Sequence, residues 1–382
     1  MNSGDIEIDA GENLQTYFVE GERAARELPN RGAIRFEADG TLDASILEAY
    51  RRFGFYVFQG VLCNDELQNL RDDLAELLQR APCTPDGELD VSGRPAVGVG
   101  LTRRTFHFAA PLSDPYGGTG RNEGRHPVQM TQPKLPSGAP KQVIHTIGGP
   151  LQVMDAYLRL YGHPQLLTIA EQVNGEDFTP FTETVVIKQA GLGPSVAWHQ
   201  DGTTHWHNTS WDQDTHGFNF MAQLYRSTAA NGVWAVPGSH ALGQMDIAAM
   251  ISSRHEPERL AGAVPMVCEA GDVVLANRQL LHGSFANSSP DQRATCIFGF
   301  LPRGSVLGVR RLIGGAEIVY DDARIAERAR VIALAIDARQ QTLTNEPRFI
   351  YKPLAGREGE LRWSAASRAR ILDDYNVHDL VI

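Results

Sequence analysis

Cysteine is scarce and unpatterned in this chain. Cys63, Cys83, Cys268 and Cys296 are the four among 382 residues, and no two share a C-x-x-C spacing. A disulfide framework or a zinc knuckle needs closely repeated cysteines, so neither is expected. Cys268 and Cys296 lie inside apolar, strand-like runs and read as buried core thiols. Positive charge is also in deficit: 35 Lys and Arg stand against 46 Asp and Glu, a formal net charge of -11. That balance argues against nucleic acid as a partner, because neutralising a phosphate backbone takes clustered cations. The basic pairs Arg103-Arg104 and Arg310-Arg311 could hold a small anion but otherwise read as solvated surface. No stretch approaches the ~20 apolar residues of a membrane helix. The acidic start, MNSGDIEIDAGENLQ, lacks the apolar segment of a signal peptide. A cytoplasmic, reduced protein with no membrane partner is the expectation.

What is present is an ordinary globular composition, 42% hydrophobic and 21% charged, in a chain long enough for a large core. The organisation reads as an N-terminal arm over 1–41, with little periodicity, followed by a single domain over 42–382. Within it, Ile46, Leu47, Tyr50 and Phe53 share one face of a helix over 43–53 that Gly54 stops. Phe55–Phe58 is a short strand. Asn64 looks like the cap of a second helix, with Asp65 and Glu66 in its first turn and a leucine stripe from Leu67 to Leu78. Together these form a helical support layer. Residues 82–150 are rich in Gly and Pro and read as an insertion or lid; they hold Arg103, Arg104, His107, Lys134, Lys141 and His145. A helical pattern over 151–173 is broken at Pro164. Short strands separated by turn signals then dominate, giving a β core over about 180–302 of sandwich, barrel or jelly-roll type. The tail, 303–382, is a helical extension. The fold class expected is α+β, mainly β.

The chemistry concentrates in Trp198-His199-Gln200-Asp201. If these residues are extended, His199 and Asp201 leave the same face of a strand, because the side-chain period is two. His282, in Leu281-His282-Gly283-Ser284, could complete a 2-His-1-carboxylate set, which binds one face of Fe(II) and leaves the other open. Arg293 follows eleven residues later. Its guanidinium could fork onto a carboxylate, with Ser284 donating to the same anion, or it could pair with Asp291 at a turn. His205, His207 and His216 lie with Trp206, Trp211, Asp212 and Asp214 in a loop that could border the entrance; their spacing is loose for a second metal.

These segments resemble the phytanoyl-CoA dioxygenase family of Fe(II)/2-oxoglutarate oxygenases. The matching pieces are Tyr50-Arg51-Arg52-Phe53-Gly54-Phe55-Tyr56-Val57-Phe58, His199-Gln200-Asp201, Asn231 through Val236-Pro237-Gly238-Ser239-His240, Gly271-Asp272, and His282-Gly283-Ser284 with Asn287 and Arg293. The resemblance implies a double-stranded β-helix (a cupin-like jelly roll) with helices packed on one sheet. It implies Fe(II) on His199, Asp201 and His282, and the co-substrate 2-oxoglutarate chelating the iron while Arg293 and Ser284 hold its distal carboxylate. Lys188 and Gln223 are further cofactor-binding candidates. With O2, such a site hydroxylates or otherwise oxidises an unactivated C–H bond, releasing succinate and CO2. Related halogenases replace the carboxylate ligand with a small residue; Asp201 therefore favours oxidation. The alternatives are a halogenase or isomerase on the same scaffold, or a cupin-like metal binder without turnover. The expected substrate is a small molecule or natural-product intermediate, and self-association is left open.

Overall fold

The computed structural model describes residues 10–202, 216–252, 258–313, 316–373 and 375. The expected N-terminal arm contains a helix, α1 (Ala10–Glu27). Its apolar residues find their partners on distant chain: Tyr17 stacks on Trp234 with ring centroids 4.7 Å apart, and its hydroxyl donates to Leu260 O at 2.9 Å. The strand β1 (Arg31–Gly32) follows, then α2 (Ala44–Phe53), capped by the Asp43 carboxylate on Ser45 N. Gly54 ends α2 with φ 79, and a Cβ there would lie 2.5 Å from His240 Nδ1. Both the left-handed backbone and the close approach require glycine. His240 in turn is held by Arg51 O at 3.0 Å, which ties the Pro237–His240 turn to α2. β2 (Phe55–Phe58) is buried along its whole length, and α3 (Asn64–Gln79) buries Leu67, Leu70, Leu74 and Leu77. Cys63, rather than Asn64, takes the cap position; the Glu66 carboxylate accepts from its backbone N–H.

The segment expected as an insertion contributes two strands, β3 (Phe106–Ala109) and β4 (Val143–Gly148). Three helical pieces succeed them, α4 (Pro150–Val153), α5 (Asp155–Tyr161) and α6 (Pro164–Asn174), with Pro164 at the start of the third. The β core then runs β5 (Thr179–Lys188), β6 (Val196–His199), β7 (Phe218–Gln223), β8 (Trp234–Ala235), α7 (Ile247–Ser252), β9 (Val264–Pro265), β10 (Val273–Asn277), β11 (His282–Ser284) and β12 (Arg293–Leu301). The tail holds α8 (Arg303–Val306), the hairpin β13 (Arg310–Ile313) and β14 (Ala316–Val319), then α9 (Asp322–Thr342) and α10 (Ala365–Leu372).

Two sheets form. The larger has eight strands in the order β1-β2-β10-β7-β12-β5-β4-β3, and the smaller has four in the order β6-β11-β8-β9. The expected support-layer strand β2 is thus an integral part of the large sheet, paired antiparallel with β10. Alternation assigns the faces of the large sheet. Phe218 and Phe220 of β7, with Phe298 and Phe300 of β12, pack against Tyr161 and Phe178 under the helices. Asn219 and Met221 of β7, Thr184 and Val186 of β5, and Ile297 of β12 line a cavity that Val196, His282 and Ser284 of the small sheet also line. The cavity therefore lies between the two sheets. α1 covers the small sheet through Trp234 and Pro265. Among the described residues no helix is long and apolar enough to cross a membrane.

Candidate metal centre

His199 ends β6 and His282 begins β11, and the two are direct partners across an antiparallel pair. Side chains of paired residues leave the same face of a sheet. Their ring centroids lie 4.1 Å apart. Each Nδ1 lies 2.8 Å from the main-chain oxygen two residues upstream, that of Ala197 for His199 and that of Leu280 for His282. A carbonyl accepts only, so Nδ1 carries the proton in both rings and Nε2 presents a lone pair. Asp201 follows as β6 ends, its backbone N–H fixed on Arg278 O at 2.9 Å. One ligand atom from each of His199, Asp201 and His282 lies within 4.8 Å of the others, a spacing that fits one metal ion.

Electrostatics keep this set ready to bind a cation. Burial, reinforced by His282, His126 and Arg125, holds the His199 imidazole well below its ordinary pKa, so the ring is neutral. Burial would raise Asp201, but Arg125, His282, Arg278 and His126 outweigh it, and its carboxyl is held below the usual range. Arg125 reaches Asp201 Oδ1 at 3.0 Å, and Asn219 Nδ2 donates to Asp201 Oδ2 at 3.1 Å. Two imidazoles committed through Nδ1 and a carboxylate held below its usual range, each oriented by a second partner, suit a divalent transition metal.

The sequence-derived residues divide into two groups. His199, Asp201, His282, Ser284 and Arg293 line one cavity of about 310 Å³. Arg293 is 2% exposed and does not pair with Asp291; one terminal nitrogen donates to Asn231 O at 3.0 Å, and its Nε has no hydrogen-bond partner. Burial lowers its pKa to about 10, so it stays charged at neutral pH. Among the described residues no carboxylate pairs with it, which makes it a cation prepared for an acidic guest. Lys188 and Gln223 are buried but are not among the cavity-lining residues. Lys188 Nζ donates to Phe285 O, across from Arg293 in the register of β5 and β12, and burial beside Arg293 holds its pKa well below that of a free lysine. Gln223 accepts from Thr295 Oγ1 at 2.8 Å. Of the loop histidines, His205 and His207 lie outside the described residues with Trp206, Trp211, Asp212 and Asp214, whereas His216 is buried and its carbonyl accepts from Arg278.

Four cavity residues lack any spacing signal in the sequence: Tyr116, Asn122, Arg125 and His126. They reach the site because a buried carboxylate closes their loop. Asp114 accepts from Tyr116 N at 3.2 Å, Gly117 N at 2.9 Å and Met130 N at 2.8 Å. Gly118 N donates to His126 O at 2.9 Å, drawing the loop tighter. The His126 ring consequently sits 4.2 Å from that of His199, and burial beside Arg125 lowers its pKa to about 3. Part of 82–150 therefore lies over the metal centre.

The profile of the phytanoyl-CoA dioxygenase family matches residues 50–295, which hold the triad and Arg293. The chain is 25% identical over 281 residues to the ectoine dioxygenase of Halomonas elongata, covering 69% of this chain and 70% of that one. It is 22% identical over 267 residues to the phytanoyl-CoA dioxygenase of Arabidopsis thaliana, covering 66% and 87%. Among solved structures, EctD from S. alaskensis with 2-oxoglutarate and 5-hydroxyectoine overlaps 72% of this chain and 81% of its own, at 20% identity and a TM-score of 0.48. On the extent of the family match, the chain belongs to the phytanoyl-CoA dioxygenase family.

Proposed function

We propose that the protein is an Fe(II)- and 2-oxoglutarate-dependent dioxygenase that hydroxylates an unactivated C–H bond of a small molecule. Its framework is a double-stranded β-helix, the two sheets enclosing the metal cavity. His199 and His282 hold the iron through Nε2, because each Nδ1 is committed to a main-chain carbonyl. Asp201 supplies the third ligand, with Asn219 fixing the carboxylate plane from its other oxygen. When bound with 2-oxoglutarate and O2, iron would supply the oxidising power for C–H hydroxylation, with succinate and CO2 as co-products. Arg293 holds the distal carboxylate of 2-oxoglutarate, and Ser284 donates a hydroxyl beside it. Met221, Val186, Val196 and Val233 give the cavity apolar walls that exclude water and confine the substrate. The protein's work is thus orientation and shielding.

The observation that carries this reading is one cavity holding both a convergent His-Asp-His set and a buried arginine that, among the described residues, has no carboxylate partner. A metal store would need only the first. The direct test is succinate formation from 2-oxoglutarate by protein reconstituted with Fe(II) and ascorbate, followed by mass spectrometry. Slow turnover without substrate, accelerated by the right small molecule, is the expected result. Failure of metal-loaded protein both to bind 2-oxoglutarate and to form succinate would overturn the proposal.

A further inference from the structure

Among the described residues of the metal cavity charge does not balance. Among its described lining residues Arg103, Arg125 and Arg293 are cationic, and Asp201 is the one carboxylate. A divalent ion adds positive charge, and 2-oxoglutarate brings two negative charges to the metal and Arg293. Within this described set the excess lies at Arg125, on the side contributed by residues 82–150, where Arg103 also lines the cavity. It runs against the chain as a whole, whose net charge is -11. Arg125 has a side chain only 9% exposed, and its Nε has no hydrogen-bond partner. Among the described residues its ion-pair partner is Asp201 Oδ1, the carboxylate that a metal would also engage. Glu123, the nearest acid in sequence, is exposed and does not line the cavity. A second cleft shares Tyr116, Asn122, His145 and Thr146 with this cavity and adds Arg104 and Arg121, again with no carboxylate in its lining. Arg104 is already paired with Asp86 at 2.9 Å. Among the described residues Arg121 is then the cation that this cleft adds.

We propose that the substrate is a small carboxylic acid whose carboxylate is held by Arg125, with Arg103 at the mouth of the cavity. This rests on the dioxygenase reading, because the metal and 2-oxoglutarate enter the charge count. A guanidinium forks onto a carboxylate bidentately, which fixes the substrate's orientation as well as its charge. Size favours a carboxylate over a bulkier phosphate ester. At about 310 Å³ the cavity is near the lower end of small-molecule sites, roughly 300–1,000 Å³, and it must also take 2-oxoglutarate.

The test uses full-length protein loaded with Mn(II) and saturating 2-oxoglutarate, titrated by calorimetry with matched probes. These are cyclohexanecarboxylate against cyclohexanecarboxamide, hexanoate against hexanamide, and inorganic phosphate. Each acid should bind at least about tenfold more tightly than its amide, the loss expected for one charge-assisted hydrogen bond. Arg125→Gln should bring that ratio close to one, Arg125→Lys should restore part of it, and Arg103→Gln should reduce it less. Because the ratio is taken within each variant at checked metal content, a general loosening of the site does not mimic the result. Equal binding of acid and amide, no binding of either acid, preference for phosphate, or an unchanged ratio in Arg125→Gln would each overturn the assignment. Loss of 2-oxoglutarate binding in the wild-type protein would instead remove the dioxygenase reading, and this proposal with it. The separate 2-oxoglutarate titration tells the two failures apart.

Discussion

Three demands fall on the two oxygens of Asp201. Arg125 approaches Oδ1, Asn219 donates to Oδ2, and the convergence with His199 and His282 leaves a metal to be shared. Removing the carboxylate by Asp201→Ala strips the site of its only anion among the described lining residues. Metal retained after desalting should fall more than about tenfold, since ligand loss exceeds the 10–100-fold effect of losing a supporting partner. Succinate formation should disappear with it, and elemental analysis beside a succinate assay reads both. Undiminished metal content would remove Asp201 from the ligand set. Arg293 answers to a different test. Arg293→Ala deletes a buried charge-assisted bond worth about 1.5–3 kcal/mol, so the dissociation constant for 2-oxoglutarate should rise roughly 10–100-fold. Titration of the metal-loaded variant reads this, and an unchanged constant would place the anchor elsewhere. These residues were legible in the sequence because strand periodicity and turn spacing are local signals. His199 and Asp201 are two apart, and His282 and Arg293 flank strands whose apolar runs announce themselves. Arg125 and His126 were not legible, because nothing in their own neighbourhood specifies where they go.

At the scale of the element, that difference comes down to what fixes each segment. The strands of the core and the helices α2, α3 and α9 are written as apolar patterns of period two or near 3.6, and the structure follows them to within a few residues. The loop from Tyr116 to Met130 has no such pattern; its course is set by the buried carboxylate of Asp114 through three backbone N–H groups. Asp114→Ala leaves those donors without their acceptor, at about 1–3 kcal/mol for the group. Hydrogen exchange over residues 116–130 should speed up while β5, β7 and β12 keep their protection, and a loop unchanged in exchange would show that other contacts suffice. α1 escaped sequence reading for a related reason. Its apolar face is modest, and its worth lies in Trp234, Phe285 and Leu260, more than two hundred residues away. β3 and β4 were likewise hidden in a Gly- and Pro-rich stretch, and they form as strands because β5 offers an edge to β4 and β4 in turn to β3.

For the whole molecule, buried imidazoles set the response to acid. Burial lowers His126, His145 and His163 to about 3, against roughly 6.5 for the free side chain. In the window between those values the unfolded chain binds protons that the folded one refuses. Stability is therefore fully present above about pH 6.5 and is lost as pH falls toward 3. The metal-free protein should show a melting temperature nearly level above pH 7 that declines steadily from pH 6.5 to 4; a level trace down to pH 4 would mean that the folded protein takes up these protons freely. His163 separates this effect from the metal centre, because it sits at the start of α6 and not in the cavity lining. The strand order of the large sheet has a further consequence, for the timing of synthesis. β2 is among the first strands to leave the ribosome with β1 beside it, yet its other sheet neighbour, β10, emerges more than two hundred residues later. Until then Phe55, Val57 and the leucines of α3 have no finished sheet to cover them, and a fold with such distant pairing pays its loop-closure entropy before any contact rewards it. His282 and Arg293 open β11 and β12, the last strands of the two sheets to be made, so the candidate metal centre is completed only together with the scaffold that encloses it.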